Sequence, residues 1–489
     1  MGGPAACAPR WCRRRVAVRP SLPLALCLVC SCRSAPTASP ASREAPAALR
    51  VSVVVGSPPG ARMEGRFAVA WFTRAEWRAF HEQHEMGPLV DMMPRVVTAP
   101  AAVGPGAAPV TLTLPAAPGD AAVVFAVFDG QRRFLDTMFG TEVAGNGTGH
   151  GDVSGRAATV RLAMQQADPP RPEGCAGERF TLLTLDAPEV RGSIGNPAAR
   201  RLCARLPASY AAQPARRYPV VYVLPGLGGT DAVVTRSFGA VADAVGREAI
   251  YVGVDTSTRA GSSYLVDGPR TGAWERFMRE RVVAEVDGRL RTLADADARA
   301  VAGHSTGGFN AVSIALRHPE VFGAAGASSP DALDLDAWML GDDGRVDPLW
   351  LGWTRVEEAM GGAGQMTSYG ADWSPDASEA RGFAWPVDLA TGAVVPAVWA
   401  RWRAQSPVTW LATEAGLARA RRLAGRLYLT CGRRDEARLY EPTARFHDAL
   451  LGAGVEHVWA PTDYGHLGYR RERWLPMLQH LTGVMAAAW

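Results

Sequence analysis

"VAGHSTGGFNAV", residues 301–312, decides how the rest of the chain is read. It starts as an apolar run, stops at Gly303, offers one serine, and resumes behind a glycine pair as a helical pattern. Gly303-His304-Ser305-Thr306-Gly307 fits G-x-S-x-G. In that pattern small neighbours two positions away on each side permit a sharp strand-to-helix turn that lifts the hydroxyl above a sheet. A serine that merely N-caps a helix is the plainer reading, but a strand before and a helix after are both legible and favour a nucleophile.

A serine hydroxyl is a weak nucleophile at neutral pH, so it needs a base within hydrogen-bond reach and a group that orients the base. Of the histidines after Ser305, His318 ends the following helix, His447 and His480 sit in helical stretches, and His457 lies in "VEHVWA", a strand pattern. His466 alone sits in a loop after a strand, in "APTDYGHLGYR", with Gly465 before it. The strand "RLYLTCG" runs into Arg433-Arg434-Asp435-Glu436, which puts Asp435 just past a carboxyl end and leaves Glu436 as the fallback acid. The order Ser, Asp, His is the one a parallel α/β sheet of this kind uses. Oxyanion donors come from "VVYVLPGLGGTD": the backbone amide of Leu227, together with that of Thr306. The rival reading of that glycine turn, a phosphate cradle, fails for want of Walker spacing and of a lysine.

Lysine is in fact absent from all 489 residues, which removes Schiff-base chemistry and Ser-Lys dyads. The 52 basic residues stand against 48 acidic ones and are spread along the chain, so no nucleic-acid partner is expected. With 47% hydrophobic residues the chain can bury a large core. "HEQHE", 81–85, has its histidines three apart and not the four of a zinc protease helix, so it reads as a solvated helix face. "GNGTGHG", 145–151, lacks the strand and helix a dinucleotide site needs and reads as a loop; Asn146 is a sequon only if the export route glycosylates. No metal and no cofactor are expected.

The amino terminus carries "RWCRRRVAVRPSLPLALCLVCSCRS", arginine-rich and then apolar from Leu22 to Cys30, too short to span a bilayer and shaped like an export signal. Residues 1–32 are read as that signal, with Cys32 either a lipidation site that attaches the chain to a membrane or part of a plainly cleaved segment. The expected locations are the periplasm, the cell envelope as a lipoprotein, or the exterior. Of eight cysteines only Cys175, Cys203 and Cys431 fall in the folded body. Export would allow Cys175 to pair with Cys203, the alternation in "RRLCARLP" is equally that of a strand burying Cys203 as a small free apolar residue, and the pair is expected unbridged. Cys431 is expected buried and reduced.

Residues 33–48 are a Pro, Ala and Ser-rich tether. Short apolar runs between Pro and Gly clusters over 49–165 predict a β-sandwich domain. From 179 to 489 strands alternate with helices, which predicts a parallel α/β sheet with function at the strands' carboxyl ends. An insertion over about 331–411 carries Trp338, Trp350, Trp353, Trp373, Trp385, Trp399, Trp402 and Trp410. It is expected to cap the site, its tryptophans either holding an aryl or sugar group or forming the cap's own core.

"RYPVVYVLPGLGGTD", "AVAGHSTGGFNAVSIALRHPEVFGAAGASSP", "CGRRDEARLYEPTARFHDALLGAGVEH" and "YGH" together resemble, in the right order, the esterase family of α/β-hydrolases that includes esterase D (S-formylglutathione hydrolase), feruloyl and enterochelin esterases and mycolyltransferases. Pro225 stands where many relatives have His, and Thr306 where Met is commoner. The resemblance implies an α/β-hydrolase fold, with an N-terminal sandwich similar to that of enterochelin esterase. It also implies an exported serine carboxylic-ester hydrolase acting through an acyl-enzyme on a small-molecule or carbohydrate-linked ester, with no diffusible cofactor. An acyltransferase using the same triad and a surface binding protein with a retired hydrolase fold are the alternatives.

Overall fold

Five runs, "VVYVL", "IYVGV", "RAVAGH", "AAGAS" and "LYLT", are apolar almost without alternation, as strands become when both faces of a sheet are covered. In the computed structural model they form the centre of an eight-stranded sheet. The structure describes residues 48–55, 60–83, 87–115, 117, 122–131, 146–165, 174–236, 238–468 and 470–486. The export segment with Cys32, and the tether through residue 47, lie outside the described residues.

The N-terminal strands are β1 (Leu49–Val55), β2 (Met63–Thr73), β3 (Val97–Val103), β4 (Val110–Leu114), β5 (Ala122–Asp129), β6 (Gly147–Ser154) and β7 (Ala157–Met164). The large sheet follows with β8 (Phe180–Asp186), β9 (Ala199–Arg205), β10 (Val220–Leu224) and β11 (Ile250–Val254). Two small hairpins, β12 (Ser257–Thr258) with β13 (Gly261–Ser262) and β14 (Asp267–Gly268) with β15 (Gly272–Ala273), stand outside it. β16 (Arg299–His304), β17 (Ala324–Ser328), β18 (Leu427–Thr430) and β19 (Val458–Trp459) complete it.

The order across the large sheet is β8-β9-β11-β10-β16-β17-β18-β19. β9 runs antiparallel to both its neighbours, and every pair from β11 onward is parallel. That is the α/β-hydrolase arrangement. Five loops therefore leave the same edge: those after β10, β16, β17, β18 and β19, carrying Leu227, Ser305, Asp331, Asp435 and His466. The insertion folds as helices Leu335–Met339, Pro348–Met360, Gln365–Trp373, Pro396–Arg403 and Pro407–Leu411. Three of them open on a proline, whose missing amide costs nothing at a first helical position.

The N-terminal strands hydrogen-bond in one continuous order, β3-β2-β5-β6-β7-β1-β4, where the sequence pattern pointed to two separate sheets. One core of Val51, Phe67, Val69, Val124, Phe128, Val160 and Leu162 draws on both halves of that order. β5 is buried on every residue, because its other face, with Ala70 and Phe72 of β2, joins the same apolar cluster as the cap and the large sheet. Leu89, Val90, Met92 and Met93 belong to that cluster too. A side chain on Gly352 of the cap would lie 2.9 Å from Pro94, so helix Pro348–Met360 packs directly on the N-terminal segment.

Two expectations need correction. The stretch around "GTGHG" is not a loop but β6, and a side chain on Gly149 or Gly151 would meet the Arg161 or Thr159 carbonyl at 2.3 or 2.2 Å. Its glycines serve close strand approach, which erases the alternation by which strands are read. Cys175 and Cys203 are bridged, their α-carbons 5.4 Å apart. β9 does bury Cys203, but the chain entering β8 folds back beside it. Cys431 is buried and free. Asn146 is buried and its Oδ1 accepts from the amides of Gly130 and Gln131, so it is a turn-holding residue.

Candidate active site

Ser305 sits between β16 and helix Thr306–Arg317 with φ 58° and ψ −128°, a left-handed conformation few side chains adopt. The surroundings hold it there: its amide donates to the Ser328 carbonyl at 3.0 Å, and its own carbonyl accepts from Gly308 and Phe309 at 2.8 and 3.1 Å. The flanking glycines are forced by space. A side chain on Gly303 would lie 2.1 Å from the Gly307 backbone, and one on Gly307 would lie 2.0 Å from the Leu224 carbonyl.

His466 Nε2 lies 3.1 Å from Ser305 Oγ, and its Nδ1 lies 3.0 Å from Asp435 Oδ2. Imidazole and carboxylate are both buried. Asp435 Oδ1 accepts from the Ala437 amide at 3.0 Å, which fixes the carboxylate's rotation. Burial pulls the His466 pKa down, but the Asp435 charge and hydrogen bond, with the Asp331 charge, outweigh it and leave it above the ordinary 6.5. For Asp435 burial pushes upward, and the His466 partner reverses this to hold the carboxyl below the ordinary 3.8. Burial, then the neighbouring His466, keeps His304 well below 6.5, so no second cation competes beside the imidazole.

Thr306 is the first helical residue, so its amide has no acceptor within the helix. Among the described residues the Leu227 amide also takes no acceptor, while the next two are engaged: Gly228 N with Ser262 Oγ and Gly229 N with the Gly226 carbonyl, each at 2.9 Å. A side chain on Gly226 would stand 3.7 Å from Ser305 Cβ, so this turn lies directly beside the hydroxyl. The two amides are thus free to bind an anionic oxygen at Ser305.

Above Ser305 opens a cavity of about 450 Å³, lined among others by Leu227, His304, Asp331, Gln365 and His466. Trp338, Trp350 and Trp353 form an aromatic wall, and Val90 reaches it from the N-terminal segment. The other cap tryptophans serve the cap itself: Trp402 donates to Ser374 Oγ, Trp385 to Glu358 and Trp399 to Asp336. Three of the tryptophans thus line the cavity, and others pack within the cap.

Glu436 is not the acid beside the imidazole; its Oε2 accepts from the His466 backbone amide at 2.5 Å and anchors the loop. Three other histidines are engaged away from the cavity, His318 with Glu275 and His447 with His457. His81 ends a helix stacked on Trp77, and the described residues contain no group of three metal-binding side chains. The sequence reading missed Asp331, whose Oδ1 accepts from Ser305 Oγ at 3.2 Å. The rule that found Asp435, an acid just past a strand's carboxyl end, points equally to "SSPDA" after β17.

The family model described as "Putative esterase" matches residues 197–448, from β8–β9 through the acid loop. The chain belongs to this esterase family. Two curated family-like proteins of Mycobacterium tuberculosis, both named as esterases, are 32% identical to it over 164 residues, covering 32% of this chain and 33% of theirs. The chain therefore aligns with only a third of those relatives' length. Among solved structures, a ferulic acid esterase is 19% identical with a TM-score of 0.44, covering 62% of this chain and 98% of its own. An S-formylglutathione hydrolase from Agrobacterium tumefaciens is 16% identical with a TM-score of 0.40, covering 63% and 94%. The esterase-family match ends before His466, so the base loop is supplied by geometry alone.

Proposed function

We propose that this esterase-family chain is an exported serine hydrolase of carboxylic esters. Ser305 attacks the ester carbonyl, His466 takes its proton and passes it to the leaving alcohol, and Asp435 holds the imidazole in the required tautomer and orientation. The Leu227 and Thr306 amides receive the oxyanion. Water, activated by the same imidazole, then releases the acid from the acyl-enzyme. The observation that carries this reading is the unbroken chain Ser305–His466–Asp435, at 3.1 and 3.0 Å, on the floor of an apolar cavity beside two unengaged amides.

Export is supported by the arginine-rich and apolar amino terminus and by the Cys175–Cys203 bridge, a link favoured in oxidising compartments. Lipid attachment at Cys32 rests on the sequence. The test is labelling with a fluorophosphonate and turnover of a generic aryl ester. Ser305→Ala and His466→Ala are expected to lose about 10⁴ to 10⁶ in rate while remaining folded, since triad members act as a unit. Labelling of Ser305→Ala, or retention of most activity by either variant, overturns the assignment.

A further inference from the structure

The Ser305 hydroxyl carries one proton and faces two acceptors. His466 Nε2 lies 3.1 Å from its oxygen on one side and Asp331 Oδ1 3.2 Å on the other. Only a proton directed at His466 serves attack; directed at Asp331 it leaves the nucleophile unactivated.

Asp331 is not there by accident of a surface loop. It is buried, its amide donates to the Ser305 carbonyl at 3.2 Å, and its Oδ2 accepts from three donors. These are Thr306 Oγ1 at 2.7 Å, the Tyr264 hydroxyl at 2.8 Å and Gln365 Nε2 at 2.6 Å. Burial holds the Tyr264 phenol far above its ordinary pKa, so it stays a donor. Oδ2 is thus saturated by elements from three places: the helix after Ser305, the segment after β13, and the cap. Asp331 lines the cavity, and among the described residues its Oδ1 accepts only from the Ser305 hydroxyl and keeps capacity for another donor. A carboxylate so firmly held, beside Ser305 and facing the apolar side chains of Trp338, Trp350, Trp353, Val90 and Leu439 across the cavity lining, marks the position of a polar group on the ligand.

We infer that Asp331 is a specificity-determining residue that selects esters bearing a hydroxyl or ammonium donor next to the ester carbonyl. Such a donor binds Oδ1, displaces the Ser305 hydroxyl from it, and turns the single proton toward His466. The proton still leaves Ser305 for His466 as the carbon–oxygen bond forms, and Asp331 gains none. An ester without the donor leaves the two acceptors in competition. One with a carboxylate at that position meets Oδ1 as a like charge. This rests on the serine-esterase reading above and adds the chemistry of its substrate.

The experiment compares two esters with the same 4-nitrophenyl leaving group, propionate and 2-hydroxypropionate, in the wild-type chain and in Asp331→Asn and Asp331→Ala. The ratio of their kcat/KM values, each corrected for spontaneous hydrolysis, is the readout. The wild type is expected to favour the hydroxy ester by about tenfold to a hundredfold, the range for a hydrogen bond to a carboxylate, mainly in kcat. Both variants are expected to bring the ratio to within about threefold of unity. Fluorophosphonate labelling confirms that each variant is folded around a reactive serine. Because the ratio is internal to each protein, loss of overall rate in Asp331→Ala does not obscure it, and Asp331→Asn preserves shape if the alanine fails to fold. A labelled, active wild type with no preference, or a preference that survives in Asp331→Asn, overturns the inference and leaves the esterase reading intact. A wild type that neither labels nor turns over either ester overturns both.

Discussion

Replacing Glu436 by Ala separates holding the base from activating it. The Glu436 carboxylate accepts from the His466 backbone amide at 2.5 Å, whereas Asp435 accepts from the imidazole itself. A hydrogen bond to a charged acceptor contributes about 1.5–3 kcal/mol. All of it reaches the rate only if the loop must be held where Glu436 holds it. That sets a ceiling of about tenfold to a hundredfold on the loss in kcat/KM, each factor of ten being about 1.4 kcal/mol. Asp435→Ala removes the group that sets tautomer and orientation, for which about 10⁴ is the usual cost. Glu436→Gln keeps an acceptor for the amide and should retain most activity. The assay is hydrolysis of one aryl ester by all three variants at fixed pH, with thermal melts to confirm folding. If Glu436→Ala is as inactive as Asp435→Ala, the division of labour between the two acids is wrong.

The acid limb of kcat/KM should have its midpoint above 6.5. The His466 pKa is raised, and attack needs its neutral form, so activity falls as pH drops through that value; a midpoint below 6.5 counts against His466 as the base in this environment. Reducing Cys175–Cys203, which spans 28 residues, should lower unfolding stability by about 3–4 kcal/mol in the chain-entropy account, read from denaturant midpoints of the intact and Cys203→Ala proteins. Gly307→Ala should abolish labelling by fluorophosphonate, since its side chain would stand 2.0 Å from the Leu224 carbonyl beneath the elbow; normal labelling would show that the turn has slack.

Much of this was legible because local chemistry and global topology agree at the elbow. Gly303, Ser305 and Gly307 are demanded by contacts only a few residues away in sequence, so the pattern survives in one dimension. His466 and Asp435 were found because parallel sheets place function at strand ends. What was hidden depends on tertiary neighbours. β6 looked like a loop because its glycines answer to the backbone of β7, and the alternation in β9 said nothing of the chain that returns to bridge Cys203. Asp331 obeyed the rule that identified Asp435, but stood where the insertion begins and was read as part of it. Glu436 was legible as an acid beside the site and not as the anchor of a backbone amide, which no side-chain pattern encodes.

The wall contributed by Val90 gives the cavity above Ser305 two sources along the chain. Ser305, Asp435 and His466 all follow β16, while one side of the space above them comes from Val90, which precedes β3. A recombination event that exchanged the segment around Val90 would carry a new cavity surface to an untouched Ser305, Asp435 and His466. An engineer who cut the chain before β8 to isolate a minimal enzyme would instead lay bare the faces that Phe72, Leu89, Val90 and Met93 now cover. The segment around Val90 is thus a part of the mould, so libraries meant to reshape the cavity have a target far in sequence from Ser305.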